Sequence, residues 1–402
     1  MKYDFTTVID RSKANAMAVD GLGLIPGIFP EKPQNGFDSI PLWIADMSFA
    51  TVPSVSKAIQ ERASHPLYGY IMPPPQFHEQ IIWWHETRNG ITWLKPEHIN
   101  YVNGVIGGVI AAAQVLCTPG ETILIHSPIY NGFERGLCNA GYKFEYSPLV
   151  EDEHGIMRMN FADMEQRIRE HNIHTLVFCH PHNPCGRVWE YDELKQMMDL
   201  CEKYDVYVIS DEIWSDLITP GHRHIPLQSV SPEAKQRVIA LYALGKTFNL
   251  SGMMAGYFII YNKRLSDMIN RQADMTFFNE MHVLSLPAFL GAYTPEGAEW
   301  VDELMQVISD NMDYVMERFS HHKGIKCTKP QATYMLFVDF SEWCYNHGKT
   351  VSELATEGCH IGVSWQDGRV FGDPHCIRMN LALPRPLLEK ALDRLDSYIF
   401  NV

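Results

Sequence analysis

The stretch LYALGKTFNLSG (Leu241–Gly252) places a lysine, Lys246, directly after an apolar run and one glycine, with no acidic residue inside the stretch to pair with it. A solvated loop lysine is the plain reading. The chemical one is an amine held at a lowered pKa, available as a nucleophile or for condensation with a carbonyl. Other polar residues also follow apolar runs: Asp211 after VYVIS, Asn183 in HPHNPCGR after TLVFC, and Tyr130 at the end of SPIY after ETILIH. Taken singly, Asp211 reads as a helix N-cap, HNPCG as a turn and Tyr130 as core. Taken together, they suit one ligand. A carboxylate keeps a pyridine nitrogen protonated, an amide donates to a phenolate oxygen, a phenol ring stacks on a flat heterocycle, and a lysine forms an imine with an aldehyde. The segment YVNGVIGG opens the helical run VIAAAQVL, and a glycine-rich helix entry binds phosphate through its unpaired N–H groups. Pyridoxal phosphate carries all of these groups.

These residues need a scaffold that brings strand ends together. Through the middle of the chain, strand-like runs alternate with helical patterns. ETILIHSP precedes NGFERGLCNAGY and KFEYSPL; HTLVFCHP precedes YDELKQMMDLCEKY; VYVISDE and VIALYALG follow. That rhythm predicts an α/β fold with a mostly parallel sheet covered by helices on both faces, and such sheets bind ligands beyond the carboxyl ends of their strands. From about residue 290 the pattern changes to a long helical stretch, GAEWVDELMQVISDNMDYVMERFSHH, and then the strand-like ATYMLFVDF, IGVSW and CIRMNL, which together read as a smaller α+β unit. The expected organisation is an arm over 1–48 contributing to the small domain and the active site, a large cofactor-binding domain over 49–290 and a small domain over 291–402.

The 402 residues are 46% hydrophobic and carry a formal charge of -15, which argues against a nucleic-acid partner. No apolar span is long enough to cross a bilayer, and the polar start MKYDFTTVIDRSK lacks a signal core; a cytoplasmic protein is expected. The nine cysteines contain no C-x-x-C pair, so neither disulfides nor a thiol redox motif is indicated. CHPHNPC holds Cys179, His180, His182 and Cys185, but no second ligand pair follows at a finger-like spacing, and no metal site is expected. The glycine spacing does not fit a dinucleotide fingerprint.

The motifs PLWIADMSF, YGY, SPIY, HPHNPCGRVW, SDEIW, GKTFNLSG and IRMNLALPR, in this order, resemble the fold-type I pyridoxal phosphate enzymes of the class I/II aminotransferase family over nearly the whole chain. Within them the sequence is most similar to the MalY- and PatB-like cystathionine β-lyase (C–S lyase) branch. The resemblance implies that Lys246 holds the cofactor covalently, that Asp211 pairs with its ring nitrogen and Asn183 with its ring oxygen, that Tyr130 stacks on the ring, and that the backbone at Val105 and Ile106 cradles the phosphate. It implies that Arg378 grips the substrate α-carboxylate, a task suited to a planar fork, that Ala45 lines the substrate pocket, and that Tyr70 reaches the phosphate of a neighbouring subunit in a homodimer with shared sites.

Departures from the family pattern fall at the same site. Ser48 stands where an aspartate is frequent, and Ala243 and Gly245 where serines are. Met254 replaces the phosphate-facing arginine of the aminotransferases. Trp214, placed to contact the cofactor, replaces their tyrosine, and an indole donates but has no acidic hydroxyl. The expected activity is β-elimination from cystathionine or another cysteine thioether, giving thiol, pyruvate and ammonia. Amino-group transfer and a cofactor-holding regulator acting through protein contacts are the alternatives.

Overall fold

A computed structural model describes residues 1–277 and 279–401. Its centre is a seven-stranded sheet. In chain order the strands are β1 (Ile99–Val102), β2 (Thr122–Ser127), β3 (Lys143–Pro148), β4 (Thr175–Cys179), β5 (Tyr207–Asp211), β6 (Val238–Ala243) and β7 (Gly256–Ile259). They lie in the order β1-β7-β6-β5-β4-β2-β3. The pairs from β6 through β5, β4 and β2 to β3 are parallel. β7 runs antiparallel to both β1 and β6.

The inner strands read as continuous apolar runs because both of their faces are buried. Leu176, Val208 and Val238 enter one core with Trp84, Trp189, Leu194 and Met197. Their neighbours Val177, Ile209 and Ile239 enter the other with Val109, Phe133, Leu137 and Ile269. The period of two along each strand divides side chains between helices stacked on opposite faces. Those helices include α1 (Val105–Leu116), α2 (Asn131–Asn139) and α3 (Tyr191–Lys203). Gly108 lets α1 lie close on the sheet, since a Cβ there would be 2.4 Å from Leu241 Cδ2.

The register aligns the carboxyl ends. Cys179 pairs with Asp211 and Asp211 with Leu241, so the segments after β4, β5 and β6 emerge side by side. Beyond them lies α4 (Pro295–Ser320), started by Thr294, whose side chain accepts from Gly297 N, and by Pro295 at its first position. A three-stranded antiparallel sheet follows, in the order Met335–Asp339, Cys376–Asn380, Gln366–Asp367.

IGVSW does not form a full strand of that sheet. Its strand is Val363–Ser364, paired in parallel with Ile40–Pro41 of the N-terminal arm. The arm is anchored at both ends of this second region. Lys2 N donates to Glu303, Phe5 packs edge-on against Phe49, and Gln34 N donates to His360 O. A segment without helical or strand periodicity is ordered here by contacts distant in sequence. No helix among the described residues is long and apolar enough to cross a membrane.

Candidate active site

The aligned strand ends open into a cleft of about 150 Å³. Lys246, Asp211, Asn183, Tyr130, Val105, Ile106, Trp214 and Ala45 all line it. Ala243, Gly245 and Met254, the positions of departure, line it as well. The cations and acids among these lining residues are Lys246 and Asp211 alone.

Lys246 is not a loop residue. It sits in a one-turn helix, Leu244–Thr247, that begins where β6 ends. Its amine donates to Ala45 O at 2.7 Å and lies 5.7 Å from the centre of the Trp214 ring. Burial, reinforced by the charge of Arg378, lowers its pKa to about 8. An ammonium far from water loses solvation that an amine does not need.

Asp211 ends β5, and its Oδ1 accepts from Ile213 N at 3.0 Å. Burial raises the carboxyl to about 7. Such a group calls for a cationic N–H partner, which would restore its ionised form. Asn183 uses its Oδ1 to accept from Arg378 Nη1 at 3.1 Å, leaving its amide N–H groups without a partner among the described residues. They can donate to an anionic oxygen. Arg378 is buried on strand Cys376–Asn380; its Nη2 donates to Trp43 O at 2.7 Å, while its Nε lacks a partner. Desolvation lowers its pKa only to about 10, so it stays charged; it is not itself among the residues lining the cleft but sits behind Asn183, which is.

Val105 and Ile106 are the first residues of α1. No side chain caps this helix, so its leading N–H groups remain for an anion. Tyr130 occupies the position before α2. Its ring folds back over Gly132, where a Cβ would come within 2.3 Å of Tyr130 Cε1. The glycine was not singled out from the sequence, because only the folded turn shows what it makes room for. These donors, the buried carboxyl and the lysine fit pyridoxal phosphate group by group.

Tyr70 is placed elsewhere. Its ring is fully exposed and lines a surface hollow with Tyr68, Ile71, Met253 and Met281 that adjoins the cleft, the two sharing Asn103 and Met254. The cleft of its own chain does not contain it. Ser48 Oγ lies 3.4 Å from Arg11 Nη1, and Arg11 also binds the Asp46 carboxylate at 2.6 Å. Cys179 Sγ donates to Pro181 O and takes a contact from Asn183 N, which ties the turn. Among the described residues no three His, Cys, Asp or Glu side chains gather as metal ligands.

The sequence did not signal three further polar residues around the arm: Tyr334, Asn380 and Asn249. Asn249 Oδ1 accepts from Met47 N, and its Nδ2 donates to Met47 O and Phe49 O. Asn380 lies inside the motif IRMNLALPR, but its role there depends on where the arm runs.

The chain is similar to known pyridoxal phosphate enzymes. Cystathionine β-lyase PatB of Bacillus subtilis strain 168 is 29% identical over 364 residues, covering 90% of this chain and 92% of PatB. Cystalysin from Treponema denticola, solved with a pyridoxal 5'-phosphate cofactor, superposes with a TM-score of 0.90 at 28% identity, covering 99% of this chain and 98% of cystalysin. An aspartate aminotransferase from Geobacillus stearothermophilus is 23% identical over 371 residues, 90% of this chain and 93% of its own. The fold is the aminotransferase-like fold of the pyridoxal phosphate enzymes, and pyridoxal phosphate is the cofactor. The family description aminotransferase class I and II matches residues 38–395, and the chain belongs to that family.

Proposed function

We propose that this protein is a carbon–sulfur β-lyase that cleaves cystathionine or another cysteine thioether to thiol, pyruvate and ammonia. The observation that carries this reading is the phosphate end of the cleft. Met254, uncharged, stands beside the entry to α1, its Cε 3.5 Å from where a Cβ on Gly104 would be. Among the described residues no arginine lines the cleft, unlike the aminotransferase pattern. The names of PatB and other relatives point the same way.

In this reading Arg378 holds the substrate α-carboxylate through its fork. Lys246, its pKa lowered by burial to about 8, removes the α-proton as general base. Asp211 keeps the ring nitrogen protonated, and Asn183 donates to the ring oxygen. The bound cofactor supplies the electron sink for the charge that develops at the α-carbon. Val105, Ile106, Ile213, Trp214 and Leu250 form apolar walls that limit water around the reacting atoms. The thiolate then departs from the β-carbon.

The same reading takes the active unit as a homodimer in which Tyr70 of each chain approaches the phosphate bound by the other. Its exposure and the apolar hollow around it support that role. The division at about residues 48 and 290 into arm, large domain and small domain is kept on the change of sheet between Gly256–Ile259 and Met335–Asp339.

The test is product analysis on the purified holoenzyme with cystathionine and with a simpler cysteine thioether. Steady release of pyruvate and thiol over many turnovers, with no keto acid added, is the expected result. A single burst that restarts when a keto acid is added would favour the aminotransferase, whose similarity to this chain is also clear. Bound cofactor with neither reaction would favour a regulator.

A further inference from the structure

The segment Trp43–Phe49 passes the cleft through a series of bends, with Ala45 in the lining, and polar side chains bind its carbonyls one after another. Arg378 takes Trp43 O at 2.7 Å and Lys246 takes Ala45 O at 2.7 Å. Asn380 Nδ2 donates to the carbonyls on either side of Ala45, Ile44 O at 2.7 Å and Asp46 O at 2.5 Å. Its own Oδ1 is held by Ala382 N at 2.8 Å. The Tyr334 hydroxyl donates to Ala45 O at 3.0 Å, making that oxygen the shared acceptor of a tyrosine and the lysine. Tyr334 is fully buried, and its ring meets Trp214 edge to face with centres 4.8 Å apart.

We propose that Tyr334 and Asn380 are positioning residues for Lys246, fixing the Ala45 carbonyl as the acceptor to which the free amine returns. This rests on the reading that Lys246 is the cofactor lysine. An amine that alternates between a covalent bond and the role of base needs a fixed place when released. One N–H donated to Ala45 O would hold the nitrogen at the cleft and leave its lone pair free for a proton. When the amine is committed to the cofactor, that carbonyl loses its lysine donor. A buried carbonyl without a partner is costly, and the Tyr334 hydroxyl keeps it satisfied. Asn380 prevents the flanking peptides from rotating, so the carbonyl keeps its direction in both situations. Asn380 is two residues from Arg378 on the same strand, and the lysine's acceptor and the carboxylate grip are therefore held by one piece of backbone.

The experiment compares holoenzyme of the wild type with Tyr334→Phe and Asn380→Asp. Phenylalanine removes only the hydroxyl; aspartate keeps the acceptor toward Ala382 N but removes the donors. Each variant is followed by the pH titration of the cofactor's visible absorption band, by kcat and KM, and by thermal unfolding. The expected result is a shift in the band's titration midpoint of roughly half a pH unit or more, with kcat lowered about fivefold, the size of one net hydrogen bond, and KM little changed. Both variants should remain folded with cofactor bound. An unchanged midpoint and kcat in both folded variants overturns the proposal, and so does a rise confined to KM. If Asn380→Asp does not fold, Tyr334→Phe decides alone. Borohydride reduction and peptide mapping on the wild type separate the two layers: cofactor found on another lysine defeats the reading of Lys246, whereas cofactor on Lys246 with unshifted variants defeats only this proposal.

Discussion

Arg378 and Asn183, 195 residues apart in the chain, are joined by a hydrogen bond of 3.1 Å between Nη1 and Oδ1. One comes from the small antiparallel sheet and the other from the turn after β4. The bond aligns the guanidinium with the amide and directs the remaining amide N–H groups into the cleft. The group that would hold the substrate and a group that would hold the cofactor are thus set by a single contact.

Arg378→Lys is expected to raise KM by at least about tenfold, because a point charge replaces a planar fork and the bond to Asn183 is lost with it. Steady-state kinetics over a range of thioether concentrations gives the answer. An unchanged KM would remove Arg378 from the substrate site.

Lys246→Ala is expected to bind cofactor without forming the borohydride-reducible visible band. In the wild type, reduction followed by peptide mapping should place the cofactor on the peptide containing Lys246. The physical basis is the amine's low pKa of about 8, which leaves a useful fraction neutral and nucleophilic near pH 8. A labelled peptide from elsewhere in the chain would show the assignment to be wrong.

Gly132→Ala places a methyl group 2.3 Å from Tyr130 Cε1. The ring must move, and the stacking surface for the cofactor moves with it. Cofactor affinity, measured by equilibrium dialysis, should fall roughly tenfold, on the order of the loss of one aromatic contact, while the melting temperature of the cofactor-free protein changes little. Retained affinity would mean that Tyr130 does not stack on the ring.

Five buried histidines are expected to contribute to the loss of stability in acid. Burial lowers the pKa of His85, His180, His182 and His224 to about 3 and of His126 to about 4. In the unfolded chain each titrates near 6.5. Between about pH 6.5 and 4 the unfolded state binds protons that the folded state does not, so stability falls as pH is lowered, by up to about 1.4 kcal/mol per pH unit for each group. Both ring nitrogens of His126 lack a partner. His126→Leu is therefore expected to cost little at pH 7 and to flatten this decline, as read from urea unfolding midpoints across that range. An equal slope in the variant would place the acid sensitivity elsewhere.

The local pattern of residues determined the central sheet. Runs such as TLVFC and VYVIS, buried on both faces, have no stable alternative to a covered strand, and the intervening amphipathic stretches have the period of the helices that cover them. The residues ending those strands could be read as a ligand set because strand ends in a parallel sheet converge whatever the loops do. Lys246, Asp211, Asn183 and Tyr130 were legible for that reason. Residues acting through the arm were not. The carbonyls of Trp43–Phe49 carry no sequence signal, and neither Tyr334 nor Asn380 reveals from its type which backbone it will meet. IGVSW looked like a strand of the small sheet, but its short strand pairs with Ile40–Pro41, a choice made by the packing of the arm. Periodicity is a property of neighbours in sequence, so it determined the scaffold and the strand-end chemistry. The meeting of Ala45 with Lys246 and Tyr334, across 201 and 289 residues, exists only once the chain has closed on itself, and only the tertiary structure decided it.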